Sequence, residues 1–175
     1  MKSRVFLSRG NVRLAVEAQK RKSAAGGSDE IRVPAEWQSL AQSVRRRPGA
    51  VLLLGASDSG KSTLARYLIS QFVPKGRVGL IDADIGQSTV GPPACISYAD
   101  CPADFSGDPG RLRPAALSFA RSLSPGADPL GFFLACERIV RFARERRPQF
   151  LLVDTTGFID GVLAVELKLT KVEWL

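Results

Sequence analysis

The eight residues Gly55-Ala56-Ser57-Asp58-Ser59-Gly60-Lys61-Ser62 constrain this chain more than any other stretch. They match the pattern G-x-x-x-x-G-K-[ST], in which two glycines let the backbone turn tightly enough for successive N–H groups to face one anion. The flanking sequence has the form this pattern needs. Ala50 to Leu54 is short and wholly apolar, as expected of a strand buried on both faces. From about Lys61 to Phe72, the residues Leu64, Ala65, Leu68, Ile69 and Phe72 recur at helical spacing. A strand, a glycine-rich loop and a helix in succession make a phosphate cradle, because the helix N-terminus adds its positive end to the loop amides. The loop Gly55 to Thr63 is therefore expected to bind a nucleoside triphosphate. Lys61 is expected to reach the β- and γ-phosphates, and the Ser62 hydroxyl to ligate Mg²⁺. Asp58 is unusual inside such a loop. It either hydrogen-bonds loop amides or approaches an acceptor substrate.

Strand and helix signals alternate along the rest of the chain. Pro34 suits a first helical turn, and Trp37, Leu40, Ala41 and Val44 then share one face. Arg45, Arg46 and Arg47 fit the negative end of that helix before Pro48-Gly49 stops it. Arg77 to Asp82, Ala115 to Ala120 and Gln149 to Asp154 read as further strands. Leu130 to Arg147 reads as an amphipathic helix with Phe132, Ala135, Ile139, Val140 and Ala143 as its buried stripe. Val162 to Leu175 is expected to be helical in part. Ala83 to Pro114, rich in Gly, Pro and Asp, shows no clear periodicity. The pattern implies an α/β fold: a three-layer sandwich of the P-loop NTPase kind, with a mostly parallel sheet.

Composition removes several classes of function. The chain of 175 residues has no histidine, so a Ser–His or Cys–His catalytic arrangement is excluded. Cys95, Cys101 and Cys136 lack zinc-knuckle spacing and are odd in number, so reduced thiols are expected, with Cys136 packed on a helix. Apolar runs such as Ala50 to Leu54 and Gly161 to Val165 fall far short of the ~20 residues that span a bilayer. The N-terminus lacks the apolar stretch of a secretory signal. A soluble, unexported protein is expected, cytoplasmic or, in a eukaryote, nuclear. The net charge of +8 is uneven: residues 1–50 hold eleven Lys/Arg against four Asp/Glu, and residues 51–175 fourteen against thirteen. Residues 1–30 end in the linker-like Ser23-Ala-Ala-Gly-Gly-Ser-Asp29, and Val5, Val12, Leu14 and Val16 give only a poor helical stripe. They read as a basic, flexible extension, either simply solvated or binding a polyanion, ahead of one domain over 31–175.

Acidic residues close two of the strands. Asp82 and Asp84 follow the second and Asp154 the fourth, where ligands of open α/β sheets sit. Asp154-Thr155-Thr156-Gly157 has the form of a Walker B aspartate, suited to Mg²⁺. One of Asp82 and Asp84 could take a proton from an attacking hydroxyl, and spacing does not say which.

Three blocks together resemble the polynucleotide 5′-hydroxyl kinases related to the Clp subunit of the pre-mRNA cleavage complex. They are Gly55 to Thr63 with its in-loop Asp58, then Asp82-Ala-Asp84-Ile85-Gly86-Gln87-Ser88-Thr89-Val90-Gly91-Pro92-Pro93, and Asp154-Thr155-Thr156-Gly157-Phe158. Ser122-Leu-Ser124-Pro125 and Leu167-Lys-Leu-Thr-Lys171 add weaker support. The resemblance implies transfer of the ATP γ-phosphate to the 5′-hydroxyl of RNA or DNA, with ATP and Mg²⁺ as cofactors and protein partners in RNA processing. It implies that Lys61 stabilises the transferring group and that Ser62 and Asp154 hold the metal. Asp84 would activate the hydroxyl or help hold the metal, with Gln87 nearby. Thr155, Thr156 and Gly157 would grip the nucleic-acid end, and Phe158 would stack on a base where many members have tryptophan.

Members of that family continue beyond a segment like Leu167 to Leu175 into an arginine-bearing lid. Arg111, Arg113, Arg121 or arginines of the Arg138 to Arg147 helix are the candidates to serve in its place here. Two other readings stay open on sequence. One is a nucleotide-binding partner protein that transfers nothing. The other is a GTPase, because Asp154-x-x-Gly157 also fits a γ-phosphate switch, although no Asn-Lys-x-Asp motif follows.

Overall fold

In the computed structural model, residues 5–7, 12–16, 33–105, 108–157 and 161–175 are described. Among them are seven strands: β1 (Val5–Leu7), β2 (Val12–Val16), β3 (Ala50–Leu54), β4 (Val78–Ala83), β5 (Cys95–Cys101), β6 (Ala116–Phe119) and β7 (Phe150–Thr155). The α-helices are α1 (Ala35–Arg46), α2 (Lys61–Phe72), α3 (Pro129–Arg146) and α4 (Val162–Trp174). All strands join one sheet in the order β1-β2-β3-β7-β4-β5-β6. Neighbours from β2 through β3 and β7 to β4 pair in parallel. β5 runs against both β4 and β6, so β6 points with the central strands, and β1 runs against β2. The sheet is mostly parallel, as expected.

Alternation along the central strands builds the two outer layers. Val51 and Leu53 of β3 pack with Leu40 and Val44 of α1 and with Leu64, Leu68 and Phe72 of α2. Ala50 and Leu52 point the other way and meet Phe132, Ile139, Val140 and Ala143 of α3. α4 lies on this second face, where Leu167 and Trp174 are partly buried and the Trp174 ring meets Phe133 edge-on at 4.5 Å. The helical stripes read from the sequence for α2 and α3 are the buried ones. α3 starts where the Asp128 carboxylate accepts the Gly131 N–H at 2.8 Å, which satisfies one amide the helix leaves unbonded. Among the described residues no helix is long and apolar enough to cross a membrane.

Two expectations need correction. Residues 5–7 and 12–16, read as part of a flexible extension, form β1 and β2, and β2 pairs with β3 from Val12 opposite Ala50 to Val16 opposite Leu54. Val12, Leu14 and Val16 recur at a spacing of two, the strand period, and a search for helical spacing passes over it. The stretch 83–114, read as aperiodic, contains β5. Its sequence Cys-Ile-Ser-Tyr-Ala-Asp-Cys mixes small and polar residues into a strand buried on both faces, where Ser97 is as fully buried as Ile96 and Tyr98. The Ser97 hydroxyl is accommodated by donating to the Val90 carbonyl.

Candidate nucleotide and metal site

The sheet register assembles the site. Asp154 of β7 stands opposite Leu53 of β3 on one side and Asp82 of β4 on the other. The three strand ends, and the loops that leave them, therefore share one edge. The loop after β3 turns at Asp58 (φ 57°) and at Gly60 (φ 99°), the residue that caps α2. Gly60 takes this left-handed conformation without steric cost, whereas Asp58 holds it with a side chain attached. Lys61 is 6% exposed and its Nζ donates to the Ala56 carbonyl at 2.8 Å, curling back over the loop it follows.

A cavity of about 370 Å³ opens here, lined by Asp58, Ser59, Gly60, Lys61, Ser62, Thr63, Asp84, Gln87 and Asp154. The phosphate loop, the Asp84–Gln87 turn and the end of β7 thus meet around one space, as their sequence blocks suggested. Gly55, Ala56 and Ser57 form the entry of the loop and do not line the cavity. Asp58 is exposed and makes no hydrogen bond to loop amides among the described residues, which leaves its carboxylate at the cavity mouth.

Asp82 and Asp84 divide their roles. Asp82 is 3% exposed and its Oδ2 accepts the Thr89 N–H at 2.6 Å, the Val90 N–H at 2.8 Å and the Ser88 hydroxyl at 3.2 Å. Its Oδ1 accepts the Asp84 N–H at 3.0 Å. Burial raises the Asp82 pKa, and the hydrogen bonds from Val90, Asp84, Thr89 and Ser88 oppose that rise. Asp82 therefore ties the 84–91 loop to the sheet and has no capacity left for an acceptor. Asp84 accepts only the Gln87 N–H, at 3.1 Å on Oδ1, and its carboxylate faces the cavity.

Asp154 is half-buried, with one of its oxygens unpartnered among the described residues. The Ser62 hydroxyl donates to its Oδ2 at 3.2 Å, while its Oδ1 is buried with no hydrogen-bond partner among the described residues. Burial, then the charge of Asp82, pushes its pKa up to about 6; Lys61 and Ser62 pull it down and Asp84 adds to the rise. A hard divalent cation answers this arrangement. The Ser62 hydroxyl, Asp154 and Asp84 offer oxygen donors beside the cavity, and the orphaned Oδ1 gains a partner. No self-contained cluster of three metal-binding His, Cys, Asp or Glu side chains exists among the described residues. Mg²⁺ in nucleotide sites completes its shell with phosphates and water, so the present donor set fits it.

The Thr155–Gly157 turn departs from expectation. Thr155 is fully buried and its hydroxyl donates to the Leu53 carbonyl at 2.7 Å, and Thr156 is only 6% exposed. At Gly157 an added Cβ would lie 2.5 Å from the Ser57 nitrogen and 2.8 Å from its Cα. Thr155 and Gly157 thus fasten β7 to β3 and to the phosphate loop, contacts that the sequence pattern does not announce. Phe158 lies outside the described residues. Of the arginines proposed to replace a lid, Arg111 and Arg113 are exposed, and Arg121 is ion-paired with Asp128 at 2.7 Å. On α3, Arg146 pairs with Asp100, which stands opposite Gly79 near the start of β4, at the far edge of the sheet.

The fold and site define a P-loop nucleotide-binding protein. The family model for the mRNA cleavage and polyadenylation factor CLP1 P-loop matches residues 55–175, and the chain belongs to that family. It is 36% identical over 133 residues to a polyribonucleotide 5′-hydroxyl-kinase of Pyrococcus horikoshii, an overlap of 73% of this chain and 35% of that protein. It is 33% identical over 145 residues to the polyribonucleotide 5′-hydroxyl-kinase Clp1 of Xenopus laevis, covering 77% of this chain and 31% of that one. The chain thus spans about a third of the length of these relatives. A solved structure of a wild-type Clp1p–Pcf11p complex shares the fold, with a TM-score of 0.60 at 18% identity over 79% of this chain and 39% of that one.

Gly157→Ala is expected to weaken ATP binding by about tenfold or more, since relieving the clash with Ser57 costs about 1–3 kcal/mol. Calorimetric titration of the variant with ATP checks this. The raised Asp154 pKa gives a second expectation. Its carboxyl ionises less readily in the fold than in the unfolded chain, so the destabilisation is absent below about pH 4 and complete above about pH 6. Without Mg²⁺, Asp154→Asn should melt higher than wild type at alkaline pH, and the difference should vanish in acid. Thermal melts across pH measure it.

Proposed function

We propose that this chain carries the ATP site of a polynucleotide 5′-hydroxyl kinase, transferring the γ-phosphate to the 5′-OH of RNA. The observation that carries this reading is the convergence of Lys61, Ser62 and Asp154 with Asp84 on one cavity, where Asp84, unlike Asp82, lines the space and accepts a single hydrogen bond, from the Gln87 N–H. The printed names of the relatives, polyribonucleotide 5′-hydroxyl-kinases, support the reaction and favour RNA over DNA. The Clp1p–Pcf11p complex supports a protein partner in RNA processing.

In this reading the loop amides and the N-terminus of α2 hold the phosphates. Lys61 exchanges the Ala56 carbonyl for the β- and γ-phosphate oxygens. Mg²⁺, held by Ser62 and Asp154 with Asp84 close by, supplies charge neutralisation to the triphosphate. Asp84 accepts the proton of the RNA 5′-hydroxyl as its oxygen bonds to the γ-phosphorus and the bond from that phosphorus to ADP breaks. Asp82 keeps the Asp84–Gln87 turn in place, and Gly157 keeps the loop backbone in place.

The test is transfer of label from γ-labelled ATP to a 5′-hydroxyl oligoribonucleotide. Wild type should label the RNA end, and Lys61→Ala should lose at least about a hundredfold in rate. Asp84→Asn should keep ATP binding and lose transfer. A wild-type chain that binds ATP and labels no RNA would overturn the kinase reading and favour a nucleotide-binding partner protein.

A further inference from the structure

Residues 109–123 carry β6, the last strand of the sheet, whose outer edge pairs with no strand among the described residues. Ala116 packs on the α3 side, so Leu117 and Phe119 alternate onto the opposite face, where they are 48% and 62% exposed. The same stretch holds Arg111, Arg113 and Arg121 and no carboxylate. All three are exposed, and of them only Arg121 is in an ion pair among the described residues, with Asp128. A single exposed leucine or phenylalanine needs no explanation. An apolar strip on an open sheet edge, set between arginines, does.

This stretch is the outer wall of the loop that presents Asp84 and Gln87, and contacts join the two along their length. A Cβ added at Gly110 would lie 3.6 Å from the Thr89 carbonyl oxygen, and one at Gly91 would lie 2.9 Å from Leu117 Cδ2. The Ala120 N–H donates to the Ala94 carbonyl at 2.7 Å. At Gly86 an added Cβ would lie 3.1 Å from the Leu123 carbonyl oxygen. Sheet order then decides which side the wall serves. The phosphate loop follows β3, Asp154 ends β7 and Asp84 follows β4, so the wall lies beyond Asp84, away from the phosphate loop. In phosphoryl transfer the attacking and leaving oxygens are roughly in line, so an acceptor approaches from the side opposite the departing ADP. β5 alone separates β4 from β6. Their distance is therefore about 10 Å, or about three nucleotides at a stacked spacing of about 3.4 Å.

We propose that the 109–123 wall is the track for the RNA strand behind its 5′ end, with Phe119 stacking on a base and Arg111 and Arg113 contacting phosphates. The inference rests on the phosphoryl-transfer reading for where the 5′ end lies. Interleaved ring and guanidinium groups suit single-stranded RNA, because every base offers a ring face and every nucleotide a negative charge. RNA uses the arginines and the ring together, where a protein strand added to the β6 edge would pair with its backbone. Arg121 is committed to Asp128 and is left out of the assignment.

Fluorescence anisotropy in the full chain measures the track without requiring transfer. The probe is a 3′-labelled, 5′-hydroxyl oligouridylate of about ten nucleotides, with Mg²⁺ and a non-hydrolysable ATP analogue present. Phe119→Leu keeps apolar bulk and loses the ring. It should weaken RNA binding by about tenfold, the scale of one base stack, with ATP affinity and melting temperature unchanged. Phe119→Trp should match or exceed wild-type affinity. Arg111→Ala combined with Arg113→Ala should lower the slope of log affinity against log salt by about 1.4, the loss of two single-strand phosphate contacts. RNA affinity of Phe119→Leu within about twofold of wild type would overturn the proposal and leave the edge to a protein strand. So would an unchanged salt slope in the double arginine variant, or a wild type that binds no RNA. The kinase reading fails separately: a wild type that binds the RNA through Phe119 and labels none of it from γ-labelled ATP would sink that reading while supporting the track.

Discussion

The hydrogen-bond register of β3, β7 and β4 governs the molecule, because it sets Asp154 between Leu53 and Asp82 and sends three loops off the same edge of the sheet. These strands are buried on both faces, so a shift of one residue would turn every side chain to the wrong layer. The 55–63 loop, Asp154 and the Asp84–Gln87 turn are consequently held at one relative position by backbone pairing and apolar packing. Their convergence brings a cost. Asp82, Asp84 and Asp154 gather in a partly dry space with Lys61 as the cation on the cavity side, and the Asp154 carboxyl is pushed up to about 6 as a result. A divalent ion, as the proposed function requires, would offset this crowding of carboxylates.

Two contacts then convert a shared edge into a defined cavity. Asp82 gathers four donors from residues 84–90 and fixes the path of the loop that presents Asp84 and Gln87. Gly157 brings the end of β7 against Ser57 with no room for a side chain, and Thr155 locks the same strand to Leu53. One contact steadies the acceptor side and the other the phosphate side.

The phosphate loop, the stripes of α2 and α3 and the strands β3, β4 and β7 were legible because each obeys a local rule: a spaced glycine pattern, a helical period, or an unbroken apolar run. β5 was hidden because its burial comes from position in the sheet, and Ser97 and Tyr98 need partners that sequence does not reveal. β2 was missed because Val12, Leu14 and Val16 follow the strand period of two, which is invisible to a helical reading of the same residues. Asp82 and Asp84 were indistinguishable by spacing, since their difference lies in which backbone amides fold back onto them. The bracing contacts of Thr155 and Gly157 were hidden for the same reason, their partners Leu53 and Ser57 being about a hundred residues away.

The chain belongs to the CLP1 P-loop family, and the proposed transfer rests on the cavity where Lys61, Ser62, Asp84 and Asp154 meet. The most direct measurement is a crystal structure with a non-hydrolysable ATP analogue, Mg²⁺ and a 5′-hydroxyl oligoribonucleotide. The γ-phosphate is expected between Lys61 and an ion held by Ser62 and Asp154, with the RNA 5′-oxygen within hydrogen-bonding distance of Asp84. An RNA end bound away from Asp84, or a nucleotide that bypasses the 55–63 loop, would contradict a kinase site at this edge of the sheet.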